Sequence, residues 1–400
     1  LNTEDIINDT NSFIMGTYNR FQIALKKGKG CFVWDNDGRK YMDFTSGIAV
    51  TSLGHSNDDI NKVISEQINN LIHVSNLFYI EQQAVLARHL VENSFADRVF
   101  FCNSGTEAME AAIKLARKWG HENEKKYKII STHGSFHGRS YGALSATGNQ
   151  KHQLGFAPLL EGFLFVPYGE IEAIRELASD NDVCAVMVEP VQGENGVILP
   201  PENYLENLRE LCDEFNMLLI LDEIQVGLGR TGKLFAYQHN GIEPDIMALA
   251  KSIASGIPCG ALLAKDQIAE SFTPGSHGST FGGNPLAMSC AIKVFETVND
   301  KDFLANVTKL GNYFFENLRN LTSDYTGIVK EIRAKGLILG IEYNESEIAK
   351  KVTEYLIKNG LLTILTAGKV TRILPPLNVT RDEIDQSLAI FNKSFKEAMS

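Results

Sequence analysis

Between residues 128 and 264 the chain alternates short, continuous apolar runs with segments of helical spacing, and this alternation narrows the fold more than any other feature. Lys128–Ser131, Gly162–Val166, Val183–Val188, Met217–Leu221, Ile246–Ala250 and Gly260–Ala264 read as strands, with helices at Ile171–Ser179 and Glu202–Asn216. Runs without polar alternation belong to strands buried on both faces, so the pattern predicts an α/β fold with a mostly parallel sheet covered by helices. Upstream, Asp58–Trp119 is helical in pattern, broken by a short strand at Val99–Phe101. A hairpin is expected from Cys31–Asp35, a turn at Asn36-Asp37-Gly38, and Arg39–Phe44. After a helical stretch from Pro285 to Leu321, a second α/β pattern runs through Ile328–Ala334, Leu337–Tyr343, a helix to Asn359, Leu361–Leu365, Thr371–Leu374 and a last helix from Arg381. Four hundred residues exceed what one core usually serves. The expected division is an amino-terminal segment (1–50) packing with a smaller carboxyl-terminal unit (291–400), and a large unit (51–290).

A net charge of −11 argues against nucleic acid or an anionic membrane as partner. No apolar run approaches the roughly eighteen residues of a membrane span. The opening LNTEDIINDTNSF has neither the basic start nor the apolar core of a signal peptide. Six scattered cysteines without a C-x-x-C pair read as reduced thiols, so a cytoplasmic protein is expected.

In an open α/β sheet, ligands bind beyond the carboxyl ends of the strands. Those ends carry Cys102-Asn103-Ser104-Gly105-Thr106, Glu189, Asp222 and Lys251. Ser104 to Glu107 is S-x-x-E, a capping box opening a helix with Ala108, Ala111, Ala112, Leu115 and Trp119 as its apolar stripe. With Gly105 at its start, that helix can serve either as a phosphate cradle or as a well-capped helix and nothing more.

Three motifs lack their structural context. Gly227 to Lys233 fits G-x-x-x-x-G-K, but residue 234 is Leu where a magnesium-binding hydroxyl should stand, and the strand ending in Asp222 precedes the loop. Gly138–Gly142 matches G-x-S-x-G, yet the nearest strand ends several residues earlier and no following helix is expected. His133 and His137 are four apart, but Gly134 and Gly138 argue against a helix, so no metal site is expected.

A lysine at one strand end and an aspartate at another suit pyridoxal phosphate. The cofactor's aldehyde needs an amine, its ring nitrogen an anion, and its phosphate a helix amino terminus such as Gly105-Thr106. Phe136 could pack on the ring face. Six segments then carry a resemblance: Asn103–Arg117, Ser135–Gly148, Val188–Val197, Leu219–Gly232, the Lys251 stretch ALAKSIASGIPCGA, and Gly275–Ala287. In order and spacing, over essentially the whole length, the chain resembles the class III aminotransferases of fold type I. The resemblance implies a seven-stranded type of sheet, pyridoxal 5'-phosphate as cofactor, and a homodimer with active sites at the subunit interface.

Position by position, the resemblance implies that Lys251 binds the cofactor and later moves the substrate proton, while Asp222 pairs with the ring nitrogen. Ser104, Gly105, Thr106, Phe136, Glu189, Ile224 and Gln225 would complete the cofactor site, with Thr280 from the neighbouring subunit. Arg139 and the partner's Ser279 would hold the donor's α-carboxylate, and Arg372 a carboxylate of 2-oxoglutarate. Glu194 would cover Arg372 while the amine donor is bound; the alternative is a permanent surface ion pair worth about 0–1 kcal/mol. The short chain and the PGSHGSTFGGNP segment resemble members acting on acetylornithine, in arginine biosynthesis. Free ornithine, 4-aminobutyrate or a succinylated diamine remain as alternative donors.

Overall fold

The computed structural model describes residues 1–123, 126–179 and 182–400. Near the amino terminus lie β1 (Leu25–Lys29), β2 (Phe32–Asp35) and β3 (Lys40–Asp43). The central strands are β4 (Arg98–Cys102), β5 (Lys128–Thr132), β6 (Phe163–Val166), β7 (Val183–Val188), β8 (Leu218–Asp222), β9 (Ile246–Leu249) and β10 (Gly260–Ala264). Toward the carboxyl terminus come β11 (Val329–Lys335), β12 (Ile338–Tyr343), β13 (Leu361–Leu362), β14 (Ile364–Thr366) and β15 (Val370–Ile373).

The central strands form one seven-stranded sheet in the order β4-β10-β9-β8-β7-β5-β6. Only β10 runs antiparallel to its neighbours. Every residue of β7, β8, β9 and β10 is buried, which is why these strands read as unbroken apolar runs. Because β4 is antiparallel to β10, and β10 to β9, the carboxyl ends of β4, β5, β7, β8 and β9 open on one edge. Fold topology thereby gathers residues 103–106, 133–139, 189, 222–225 and 251.

The expected hairpin forms with Phe32 opposite Met42, and its turn uses Gly38 at φ +87°. Its second strand pairs in parallel with β13, so the amino-terminal hairpin shares a four-stranded sheet with Leu361–Leu362. Strands β11-β12-β15-β14 make a separate antiparallel sheet that carries Arg372. Instead of one helix from Pro285 to Leu321, there are two, Pro285–Val298 and Lys301–Thr322. Asp300 caps the second by accepting the Phe303 N–H at 2.8 Å, a local bond that competes with helix continuation. One core cluster runs from Leu221 and Leu249 in the large sheet to Leu339 and Phe391 beside the small one. A second packs the apolar stripe of the Gly105–Asn123 helix, including Ala108, Ala112 and Leu115, onto Ile220 and Ala248.

Candidate active site

The strand ends enclose a cavity of about 240 Å³ lined by Gly105, Thr106, Phe136, Arg139, Glu189, Glu194, Asp222, Ile224, Gln225 and Lys251, together with His137, Gly138, Val191 and Val226. An amine and a carboxylate twenty-nine positions apart in sequence therefore face one space.

The Gly105–Asn123 helix begins at this cavity with an altered capping box. Ser104 Oγ accepts the Glu107 N–H at 3.3 Å, but Glu107 Oε2 accepts from Asn103 N at 2.9 Å, one residue further back than the expected box. The N–H groups of Ser104, Gly105 and Thr106 consequently find no acceptor among the described residues. Three unpartnered donors at a helix start form an anion site. Thr106 Oγ1 also accepts the N–H groups of Arg139 and Ser140, each at 3.2 Å, and so holds the 133–140 loop against the helix.

Asp222 is 5% exposed. Its Oδ1 accepts the Ile224 N–H at 3.1 Å, and its Oδ2 lies 2.8 Å from His137 Nδ1. A carboxylate only accepts, so Nδ1 carries the proton; His137 Nε2 is buried without a partner. Glu189, behind the same wall, accepts the Phe136 N–H at 3.2 Å. Burial, and then repulsion from Asp222, pushes its carboxyl well above the usual range.

Lys251 follows β9 at φ +48°, a left-handed conformation that costs a non-glycine residue about 1–3 kcal/mol and marks functional sites. Its amine has no hydrogen-bond acceptor among the described residues, and burial holds it below its ordinary pKa. Arg372 on β15, 1% exposed, donates from Nη1 to Glu194 Oε1 at 2.6 Å and to Gln225 Oε1 at 3.1 Å. Burial alone would raise the Glu194 carboxyl; Arg372, with Lys251, brings it below its ordinary value.

Not every expected residue lines this cavity. Ser104 stands at the helix start, and Arg372 lies behind Glu194 and Gln225. Ser279 bonds Asn103 Nδ2 through its Oγ at 3.2 Å, while Thr280 is exposed on the same loop. His137, weighed above only as a metal ligand, is the residue sequence reasoning missed; its spacing from Asp222 carries no signal. Among the described residues no cluster could hold a metal ion. The expectation that no helix follows Gly138–Gly142 is corrected: Tyr141–Ala146 is helical, its N–H groups at Gly142 and Ala143 capped by Glu110 Oε1 at 2.8 and 3.1 Å. Lys233 of the phosphate-loop lookalike is exposed.

Glycines shape the walls. A Cβ on Gly105 would come within 2.9 Å of Ile224 Cδ1, and one on Gly138, at φ +139°, within 2.4 Å of Thr106 Oγ1. Gly138→Ala is therefore expected to cost about 1–3 kcal/mol and to weaken cofactor binding, read from the melting temperature and from a pyridoxal-phosphate titration.

Unpartnered donors at a helix start, a half-buried amine with no acceptor, a carboxylate braced by an imidazole, and glycine-shaped walls fit pyridoxal phosphate on a fold-type I sheet; the class defined is a pyridoxal-phosphate enzyme. The family model for aminotransferase class-III matches residues 14–395, and the chain belongs to that family. It is 49% identical over 387 residues to the acetylornithine aminotransferase of Caldanaerobacter subterraneus subsp. tengcongensis, covering 96% of this chain and 98% of the relative. The acetylornithine aminotransferase structure from Elizabethkingia anophelis matches with a TM-score of 0.89 at 34% identity, over 99% of this chain and 100% of that one. An ornithine aminotransferase structure from Toxoplasma gondii, with partial occupancy of PLP at its active site, matches with a TM-score of 0.95 at 34% identity, over 99% of this chain and 96% of that one.

Proposed function

We propose that this chain transfers the terminal amino group of acetylornithine to 2-oxoglutarate, giving N-acetylglutamate semialdehyde and glutamate, a step of arginine biosynthesis. The observation that carries the reading is Lys251 and Asp222 on one cavity whose wall includes Glu194, with Arg372 paired to that glutamate from behind. Sequence identity of 49% to an enzyme of that name supports the acetylated donor.

Pyridoxal phosphate, when bound, supplies the electron sink for charge left on the carbon beside the amine. Lys251 would hold the cofactor at its aldehyde carbon, and its amine would move the proton at the substrate carbon; a lysine below its ordinary pKa is better suited to that task. Asp222, braced by His137, would hold a proton on the ring nitrogen. Ser104, Gly105 and Thr106 would hold the phosphate, Phe136 would cover the ring, and Glu189, Ile224 and Gln225 would line it. Arg139 takes the donor carboxylate. Glu194 neutralises Arg372 while the amine donor is bound and swings aside for the keto acid. Thr280 and Ser279 lie on a loop near the surface and serve the second subunit of a homodimer. We place the protein in the cytoplasm; among the described residues no helix is long and apolar enough to cross a membrane. The chain divides into segments 1–50, 51–290 and 291–400.

The test is to mix the cofactor-loaded protein with each amine in the absence of keto acid and follow the cofactor's absorbance. Bleaching by acetylornithine but not by ornithine or 4-aminobutyrate at equal concentration is expected. A second reading, free ornithine as donor, is favoured by the TM-score of 0.95 to the Toxoplasma gondii enzyme, and bleaching by ornithine would select it. Glu194→Ala is expected to lower discrimination between terminal and α-amino donors by about tenfold, measured as the ratio of kcat/KM values. An unchanged ratio would leave Glu194 as a static ion pair.

A further inference from the structure

The loop that carries Asp222 and Gln225 touches the β15 region twice. One contact lies in the site, where Gln225 accepts from Arg372. The other lies outside it. Arg230, five residues beyond Gln225, is 2% exposed and reaches the end of β15, where its Nη1 donates to Pro375 O at 2.5 Å. The same nitrogen donates to Leu337 O at 2.9 Å, and Arg230 O accepts the Leu337 N–H at 3.0 Å. Leu337 immediately precedes β12, the antiparallel neighbour in which Gly340 faces Arg372. One guanidinium thus ties the ends of both strands to the loop behind the cavity.

This buried cation has no carboxylate partner among the described residues, and its Nη2 is buried without an acceptor. Burial lowers its pKa to about 9. A well-packed apolar side chain of similar length would avoid that desolvation, so fold stability alone gives little reason for a guanidinium here. Its Nη1 offers something an apolar residue cannot, a donor that holds two carbonyls, one just before β12 and one just after β15. Packing around it is close: a Cβ on Gly336 would lie 2.6 Å from Thr231 C and 2.7 Å from Arg230 O.

We propose that Arg230 is a positioning residue that sets where Arg372 stands in the site, and thereby the affinity for the acceptor carboxylate. This rests on the reading of Arg372 as the carboxylate-binding arginine. Arg230 touches neither substrate nor cavity, and acts only through the register of β15 against the Gln225 loop. Its removal therefore weakens acceptor binding and leaves the donor half-reaction, which Glu194 screens from Arg372, nearly unchanged.

The test compares wild type, Arg230→Met and Arg230→Lys as cofactor-loaded proteins. Glutarate, an unreactive dicarboxylate, is titrated by calorimetry, and the two half-reactions are followed separately by absorbance. Arg230→Met is expected to weaken glutarate about tenfold and raise KM for 2-oxoglutarate similarly, with the donor half-reaction within about twofold of wild type. Arg230→Lys should recover part of the loss, and it carries the test alone, with about threefold weakening, if the methionine variant does not fold. Unchanged glutarate affinity, or a donor half-reaction that falls in step with it, overturns the proposal. If wild type reacts with neither substrate while glutarate binding still separates the variants, the aminotransfer reading fails and the positioning role survives.

Discussion

Lys251→Ala is expected to lower kcat/KM for aminotransfer by about 10⁴-fold or more. Proton transfer by a positioned side chain contributes about 10²–10⁴-fold, and loss of the covalent hold on the cofactor adds to that. Among the described residues no other amine lines the cavity that could replace it; the remaining basic side chains on its wall are the guanidinium of Arg139 and the imidazole of His137. The fold should tolerate the change, because the Lys251 amine has no hydrogen-bond acceptor among the described residues and its burial disfavours the charge. Alanine would still bear the positive φ of +48°, so the backbone strain stays in place and the comparison isolates the amine. Steady-state glutamate formation measures the loss. Borohydride treatment followed by peptide mass analysis provides a second reading: wild type should carry the pyridoxal group on the peptide containing residue 251, and the variant on none. Activity within tenfold of wild type would remove Lys251 from the chemistry.

The parts of this site that were legible in sequence share one property: their cause is local. Val183–Val188 announces a doubly buried strand because all its side chains are apolar, and Glu189 follows at its end. Asp222 and Lys251 are legible for the same reason, since each closes an apolar run. Features that depend on partners distant in sequence were not. His137 and Asp222 meet across 85 positions, and nothing in the histidine's neighbours reports the aspartate. The Tyr141–Ala146 helix contains Gly142 and would be a poor helix alone, yet Glu110 on another helix supplies its cap. Glu107 accepts the backbone N–H of Asn103 instead of that of Ser104, a shift of one residue that leaves the Ser104 N–H free at the helix start. Arg230 sits in a stretch that reads as a failed phosphate loop, and its contacts to Leu337 and Pro375 lie more than a hundred positions away. Periodicity locates the sheet; it is blind to which side chains the sheet brings together.

Asp222→Asn should separate activity from stability, with opposite signs. Asparagine keeps the shape, and its carbonyl can still accept from His137 Nδ1, but the charge that would keep a proton on the cofactor's ring nitrogen is gone. A charge placed against a reacting system in a water-poor site is worth about 10²–10³ in kcat when removed, and that loss is expected here. Stability should move the other way. Glu189 is raised well above 4.5, by burial first and by the Asp222 charge second. A carboxyl whose folded pKa is raised binds more protons in the native state, so its contribution is present below about 4.5 and is lost as pH rises. Removing the Asp222 charge shrinks that rise, so less stability is lost on the way to neutral pH. The cofactor-free variant is therefore expected to melt no lower than wild type at pH 4.5, and higher by a margin that grows toward pH 7. Thermal melts across that range, beside kcat measured at saturating substrates, check both signs. Such trade-offs are characteristic of buried charges retained for function. A variant that keeps its kcat within threefold, or that loses activity and stability together, would make Asp222 a structural acid instead.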